Sequence, residues 1–136
     1  MASEEVAILL VEDSPAIQEG IIDLIEEDPR CRIAYVTDAE SAAIAELQSG
    51  RYEIAIIDLQ IREGSGQGVL KFLGTQLRPM LKIVLTNFDR PQVRAQCMAL
   101  GADYFFDKSR EFEKVAEAID AWLAARAAGG SSSANA

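Results

Sequence analysis

Histidine is absent from this 136-residue chain. That absence removes a histidine general base, a histidine metal ligand and a phosphohistidine carrier, so any phosphoryl group handled here must come from another molecule. Cysteine is scarce. Cys31 and Cys97 lie far apart, in no metal-like spacing and among apolar neighbours, and read as small buried hydrophobes. Cations are few as well: 13 Lys and Arg stand against 22 Asp and Glu, a formal net charge of −9. Phosphate-backbone contact relies on clustered Lys and Arg, so direct nucleic-acid binding is not expected. No apolar run approaches the roughly 18 residues needed to cross a bilayer, and Met1 to Glu5 is acidic where a secretory signal would be basic. The expectation is a soluble, cytoplasmic chain with no membrane insertion, of a length that suits one domain.

What the chain does have is short apolar runs alternating with segments of helical period. Continuous runs of four to six apolar residues suit strands buried on both faces, as in parallel sheets flanked by helices. The pattern predicts an α/β fold of five strands, near 6–12, 31–37, 53–58, 82–86 and 103–106, each followed by a helix. The first helix opens on Ser14 as N-cap and Pro15 in its first turn, and Pro29 stops it. The second runs from Asp38, read as its cap, to Gly50. The third is diluted by Gly66, Gly68 and Gly74, each interior glycine costing about 1 kcal/mol relative to alanine. The fourth spans Pro91 to Gly101 and the fifth about Glu111 to Ala127. Beyond it the Gly/Ser/Ala-rich stretch is expected to be a disordered tail, which divides the chain into a folded domain at 1–127 and a tail at 128–136.

The chemistry sits where the strands end. The first run delivers Glu12 and Asp13, the third Asp58, the fourth Thr86, and the fifth Asp107 and Lys108. In a parallel sheet these ends share one edge, and ligands bind in the crevice there. Two carboxylates within about 4 Å repel by roughly 4 kcal/mol at an effective dielectric of 20, and a divalent cation relieves this. Mg²⁺ suits such a set, because it takes oxygen ligands from one or two carboxylates plus phosphate oxygens. Only Asp58 stands alone at a strand end, as an in-line nucleophile needs, which leaves Glu12 and Asp13 as ion ligands. Thr86 and Lys108 then offer a hydroxyl and a positive charge to phosphoryl oxygens. Taken singly, each of these residues reads as a turn residue, a cap or a solvated charge. Their conjunction, each on a different strand, carries the functional reading.

From about Val6 to Leu123 the chain resembles the receiver domains of two-component response regulators. The segments that carry the resemblance are Val11-Glu12-Asp13-Ser14, Ile56-Ile57-Asp58-Leu59, Leu85-Thr86-Asn87 and Gly101 to Lys108. It implies a flavodoxin-like doubly wound sheet of order 2-1-3-4-5. It also implies phosphorylation of Asp58 by a histidine kinase or histidine phosphotransfer protein, and a metal held by Glu12, Asp13 and Asp58 together with the backbone carbonyl of Gln60. Thr86 and Phe105 would form a switch that alters a protein-binding face and so engages a downstream effector. Such a domain turns over no external substrate beyond its phosphodonor and its own phosphate. Gln60 and Phe88 fall at positions that tune hydrolysis in this family.

Several residues depart from the family's pattern. Arg62 and Ser109 replace prolines, Ser65-Gly66 replaces Asp-Gly, and Phe105 lacks a tyrosine hydroxyl. A cis bond at Lys108–Ser109 would cost about 2.5 to 4 kcal/mol and is not expected. Two other readings compete. One keeps the fold as a constitutive binding platform; the other is a Mg²⁺-dependent phosphohydrolase resembling haloacid dehalogenases, disfavoured because Gln60 stands where a second acid belongs. The chain is expected to be a monomer or a phosphorylation-dependent dimer. Arg90, Arg94, Asp103 and Arg110 form either the dimer face or a solvated surface.

Overall fold

The computed structural model describes residues 5–132, with side chains through residue 128. Strands and helices alternate: β1 (Val6–Val11), α1 (Pro15–Ile25), β2 (Cys31–Thr37), α2 (Glu40–Leu47), β3 (Ile54–Ile57), α3 (Gly66–Gly74), β4 (Leu81–Thr86), α4 (Pro91–Ala99), β5 (Tyr104–Asp107) and α5 (Lys114–Ser132). All neighbouring strands are parallel, in the order β2-β1-β3-β4-β5. This is the flavodoxin-like doubly wound sheet. The order reverses at β1 and β3, and that reversal is where such sheets bind ligands.

Strand alternation feeds two cores. Ile8, Leu10, Ile54, Ile56, Ile83 and Leu85 pack with Ile21 and Ile25 of α1 and Val115, Ile119 and Leu123 of α5. On the other face Leu9, Val11, Ala55, Ile57 and Val84 meet Leu47 of α2, Val69 and Leu70 of α3 and Cys97 of α4. A fully buried aliphatic side chain contributes about 2 kcal/mol, so the central strands form a stiff base under their own carboxyl ends. Both cysteines are buried in these cores. Burial pushes the Cys31 thiol up to about 11 and the Cys97 thiol upward too, which suits inert packing residues.

Helix ends show where local rules held and where tertiary contacts replaced them. Ser14 Oγ accepts from Ile17 N–H at 3.3 Å, with Pro15 in the first turn, as the sequence predicts. Asp38 does not cap α2. Its carboxylate is taken by Arg62, at 2.7 Å from Nε and 3.1 Å from Nη2, and the helix begins two residues later at Glu40. Glu63 caps in its place, accepting from Ser41 N–H at 3.2 Å and from its hydroxyl at 3.0 Å. Gly50, at φ 75°, takes the left-handed region in the turn that follows α2, with its N–H on the Leu47 carbonyl.

The start of α5 is also displaced, from about Glu111 to Lys114. Glu111 spends its carboxylate on Asp107 N–H at 2.8 Å and its own N–H on the Asp107 carbonyl at 2.7 Å, which holds that stretch as a turn. At its other end α5 runs through Ser132 rather than stopping near 127. Alanines at 124, 125, 127 and 128 are the best helix formers, and no proline follows to stop them. The tail expected at 128–136 therefore starts inside the helix, and 133–136 lie outside the described residues. Among the described residues, no helix is long and apolar enough to cross a membrane.

Candidate functional site

Three strand ends converge on one cluster. Glu12 follows β1 and is anchored through its N–H to the Thr37 carbonyl at 2.9 Å. Asp58 follows β3 and donates its N–H to the Val11 carbonyl at 2.9 Å, which seats it directly beside Glu12. Lys108 follows β5 and donates its N–H to the Thr86 carbonyl at 2.9 Å. The backbone ladders therefore set the spacing before any side chain contributes.

The Lys108 ammonium bridges the two buried acids, 2.8 Å from Glu12 Oε1 and 2.7 Å from Asp58 Oδ2. Relative exposure is 1% at Glu12 and 6% at Asp58, so these charges sit in the interior with few alternatives to one another. Each remaining oxygen has a backbone donor: Ser14 N–H reaches Glu12 Oε2 at 3.0 Å and Leu59 N–H reaches Asp58 Oδ1 at 2.7 Å. Asp13, exposed, completes a set of three carboxylates with ligand oxygens within 4.8 Å of one another.

Burial pushes the Glu12 carboxyl above the usual range, opposed by Lys108 and the Ser14 N–H. Burial also pulls the Lys108 ammonium down, yet the bonds to Asp58 and Glu12 outweigh it and leave Lys108 above the usual range. The two partners thus point to different winners. Attraction is the one that the geometry supports, since the ammonium touches both carboxylates. Lys108 is therefore a fixed cation.

The donor set fits a small hard cation. Three carboxylates face one ammonium, so negative charge remains uncompensated, and Asp13 gives the set an opening to water through which a hydrated Mg²⁺ can enter. Gln60 is exposed two residues past Asp58 and pairs through its backbone with Ser65.

Other predicted residues are nearby but occupied differently. Thr86 is fully buried at the end of β4, and its hydroxyl accepts from Phe88 N–H at 3.1 Å. Phe105 is buried in the core under α4, with the Arg94 guanidinium 4.6 Å from its ring centroid and Arg94 Nη1 donating to its carbonyl at 3.2 Å. The Asp107 carboxylate turns away into its own loop, where it accepts from Ser109 N–H and hydroxyl at 2.9 and 2.7 Å. That bond pattern shapes the loop in which the family's proline is missing, and all described peptide bonds are trans. Sequence reasoning missed Gln18, whose side chain donates to the Glu12 carbonyl at 2.7 Å. A polar residue on a helix with a mostly apolar inner face was the available signal. The Arg94 stack on Phe105 was also missed, because Arg94 by itself reads as surface charge.

Comparison with known proteins places these observations in a family. The model of the response regulator receiver domain matches residues 8–120. The chain is 21% identical over 114 residues to the DNA-binding transcriptional activator DevR/DosR of Mycobacterium tuberculosis, covering 84% of this chain and 52% of that protein. It is 28% identical over 118 residues to the transcriptional regulatory protein CiaR of Streptococcus pneumoniae, covering 87% and 51%. The chain thus spans about half the length of these curated relatives. Among solved structures, a two-component response regulator of the LuxR family from Aurantimonas sp. SI85-9A1 superposes with a TM-score of 0.79 at 22% identity, over 88% of this chain and 86% of that one.

Proposed function

The chain belongs to the response regulator receiver family, and from that premise we propose that it forms a receiver domain that accepts a phosphoryl group on Asp58. The observation that carries this reading is the buried bridge from Lys108 to Asp58 and Glu12. Interior ion pairs of this kind are poor stabilisers, because desolvation offsets much of their attraction, so their presence calls for a chemical reason.

The roles divide by position. An Asp58 carboxylate oxygen attacks phosphorus, a P–O bond forms there, and the bond to the donor's leaving group breaks with its electron pair. Glu12, Asp13, Asp58 and the Gln60 carbonyl would hold Mg²⁺, whose contribution when bound is to neutralise charge on the phosphoryl oxygens. Lys108 is already paired with Asp58 and supplies the fixed positive charge on the other side. The Thr86 hydroxyl, which accepts from Phe88 N–H, would turn to donate its O–H to a phosphoryl oxygen. Phe105 then repacks beneath Arg94, a shift between two arrangements of one face. Phe88, half-buried beside this site, shields the product from water.

Membership of the family points to a phosphohistidine on a histidine kinase or phosphotransfer protein as the phosphodonor, and with no histidine in this chain that group lies on another molecule. The output is a protein contact with a downstream effector, as a switch or relay intermediate in the cytoplasm, and the domain acts catalytically only on its own phosphate. A monomer that dimerises on phosphorylation fits the charged face around Arg90, Arg94 and Arg110. Intact mass after incubation with MgCl₂ and acetyl phosphate tests the reading. One added phosphoryl group that requires Mg²⁺ and is lost in Asp58→Asn is expected. No gain in the wild type would overturn the reading in favour of a constitutive binding platform.

A further inference from the structure

The loop that follows Asp58, residues 59–65, lacks helix or strand yet is tied closely to the neighbouring loop before α2. Glu40 N–H donates to the Glu63 carbonyl at 2.7 Å, Glu63 N–H donates to the Asp38 carbonyl at 3.2 Å, and Arg62 holds the Asp38 carboxylate. Within this knot lies the Glu40 carboxylate. Its Oε1 accepts from Ser65 N–H at 2.9 Å. It also fills the space beside Gly64 and Gly68, where a Cβ on either glycine would collide with it. Gly64 has φ +80°, which no ordinary residue adopts easily.

The knot leads straight to the phosphoryl site. Ser65, held by Glu40, forms an isolated antiparallel bridge with Gln60. The next residue, Gly66, donates its N–H to the Leu59 carbonyl at 3.0 Å, and a Cβ there would overlap the Asp58 carbonyl and come within 2.8 Å of Leu59 Cα. One hydrogen bond and one backbone bridge therefore separate Glu40 from the carbonyl expected to bind metal. With arginine at 62 in place of the family's proline, the loop takes its stiffness from these contacts and not from a ring.

We propose that Glu40 is a positioning residue for the phosphoryl site, fixing the loop through Ser65 so that the Gln60 carbonyl and Asp58 keep their metal-binding arrangement. This rests on the reading of Asp58 as phosphoacceptor and Gln60 as metal ligand. Glu40 touches neither the metal nor the phosphoryl group.

Three variants test it: Glu40→Ala, Glu40→Gln and Gly68→Ala, each measured for Mg²⁺ affinity by calorimetry with MgCl₂ alone, for the rate of mass gain in acetyl phosphate, and for Tm. E40A is expected to weaken Mg²⁺ binding and slow phosphorylation by about tenfold, the scale of a modest misplacement of reacting groups. E40Q keeps an oxygen for Ser65 N–H and recovers most of both. G68A puts a better helix former into α3 while evicting the carboxylate, so it slows phosphorylation as E40A does with Tm unchanged or raised. Unchanged rates and Mg²⁺ affinity in E40A and G68A would overturn the proposal, as would losses that follow Tm alone. If E40A does not fold, G68A decides. A wild type that takes up neither Mg²⁺ nor phosphoryl group would instead remove the reading of the site, and the proposal with it.

Discussion

The two edges of the sheet handle charge in opposite ways. At the carboxyl edge Lys108, Glu12 and Asp58 are interior, and both ammonium–carboxylate contacts are within 2.8 Å. At the amino edge Arg126 pairs with Glu53 at 2.9 and 3.0 Å and stacks on Trp122 at 4.8 Å, equally good geometry but largely in water. There Arg78 donates to the Tyr52 carbonyl, and a cavity of about 520 Å³ opens among Glu53, Arg78, Met80, Trp122 and Arg126. A surface pair contributes little and costs little to lose; a buried one is costly to assemble and worse to break. Distance alone therefore does not separate a chemical site from surface decoration. Burial does, and it is the reason the proposed chemistry is assigned to the carboxyl-edge cluster and not to the amino-edge cavity.

Breaking the buried bridge should have the largest effect. Lys108→Ala leaves two interior carboxylates without their cation, and a loss of about 3 to 5 kcal/mol is expected by denaturant unfolding without metal. Millimolar MgCl₂ should return much of it, since the ion substitutes for the lost charge. A stable, Mg²⁺-insensitive K108A protein would erase the contrast between the edges. Next in size is the shield: Phe88→Ser should speed loss of the phosphoryl group by roughly fivefold, about 1 kcal/mol of barrier, read by mass after removal of the donor. An unchanged half-life would take Phe88 out of the site.

Arg126→Ala, at the other edge, should cost no more than about 1 kcal/mol and leave phosphorylation unaltered. A slower rate there would show that the two edges are coupled. The smallest effect concerns Asp38, whose carboxyl lies below its usual range mainly through its bond to the Arg62 side chain. Because its folded pKa is depressed, its contribution is present above the unfolded value, near 3.8, and disappears as pH falls through the folded one. The Tm difference between wild type and Asp38→Asn should therefore be small at pH 6 and vanish in stronger acid. A difference that grows in acid would contradict the pairing.

The strands were readable because buried parallel strands leave unbroken apolar runs, such as Ile54 to Ile57, with charged residues directly at their ends, whereas their order in the sheet was implied only by the resemblance to receiver domains. The site was readable for the same reason: Glu12, Asp58 and Lys108 each follow a strand, so topology brings them together. What sequence could not supply were partners chosen across space. Asp38 looks like a cap and is instead claimed by Arg62, 24 residues on, while Glu63 caps α2 from another loop. The glycines of α3 read as weakness in a helix, yet Gly66 and Gly68 are small because the Asp58 carbonyl and the Glu40 carboxylate occupy the adjoining space. Local propensity has no view of such neighbours.

Mapping the phosphoryl group onto the chain is the most direct measurement. The protein would be phosphorylated with acetyl phosphate and MgCl₂, reduced with borohydride to convert the acyl phosphate to homoserine, digested, and sequenced by mass spectrometry. Conversion at Asp58 alone is the expected result. Conversion at Asp13 or Asp107 with Asp58 untouched would contradict the assignment of the buried bridge as the phosphoryl site.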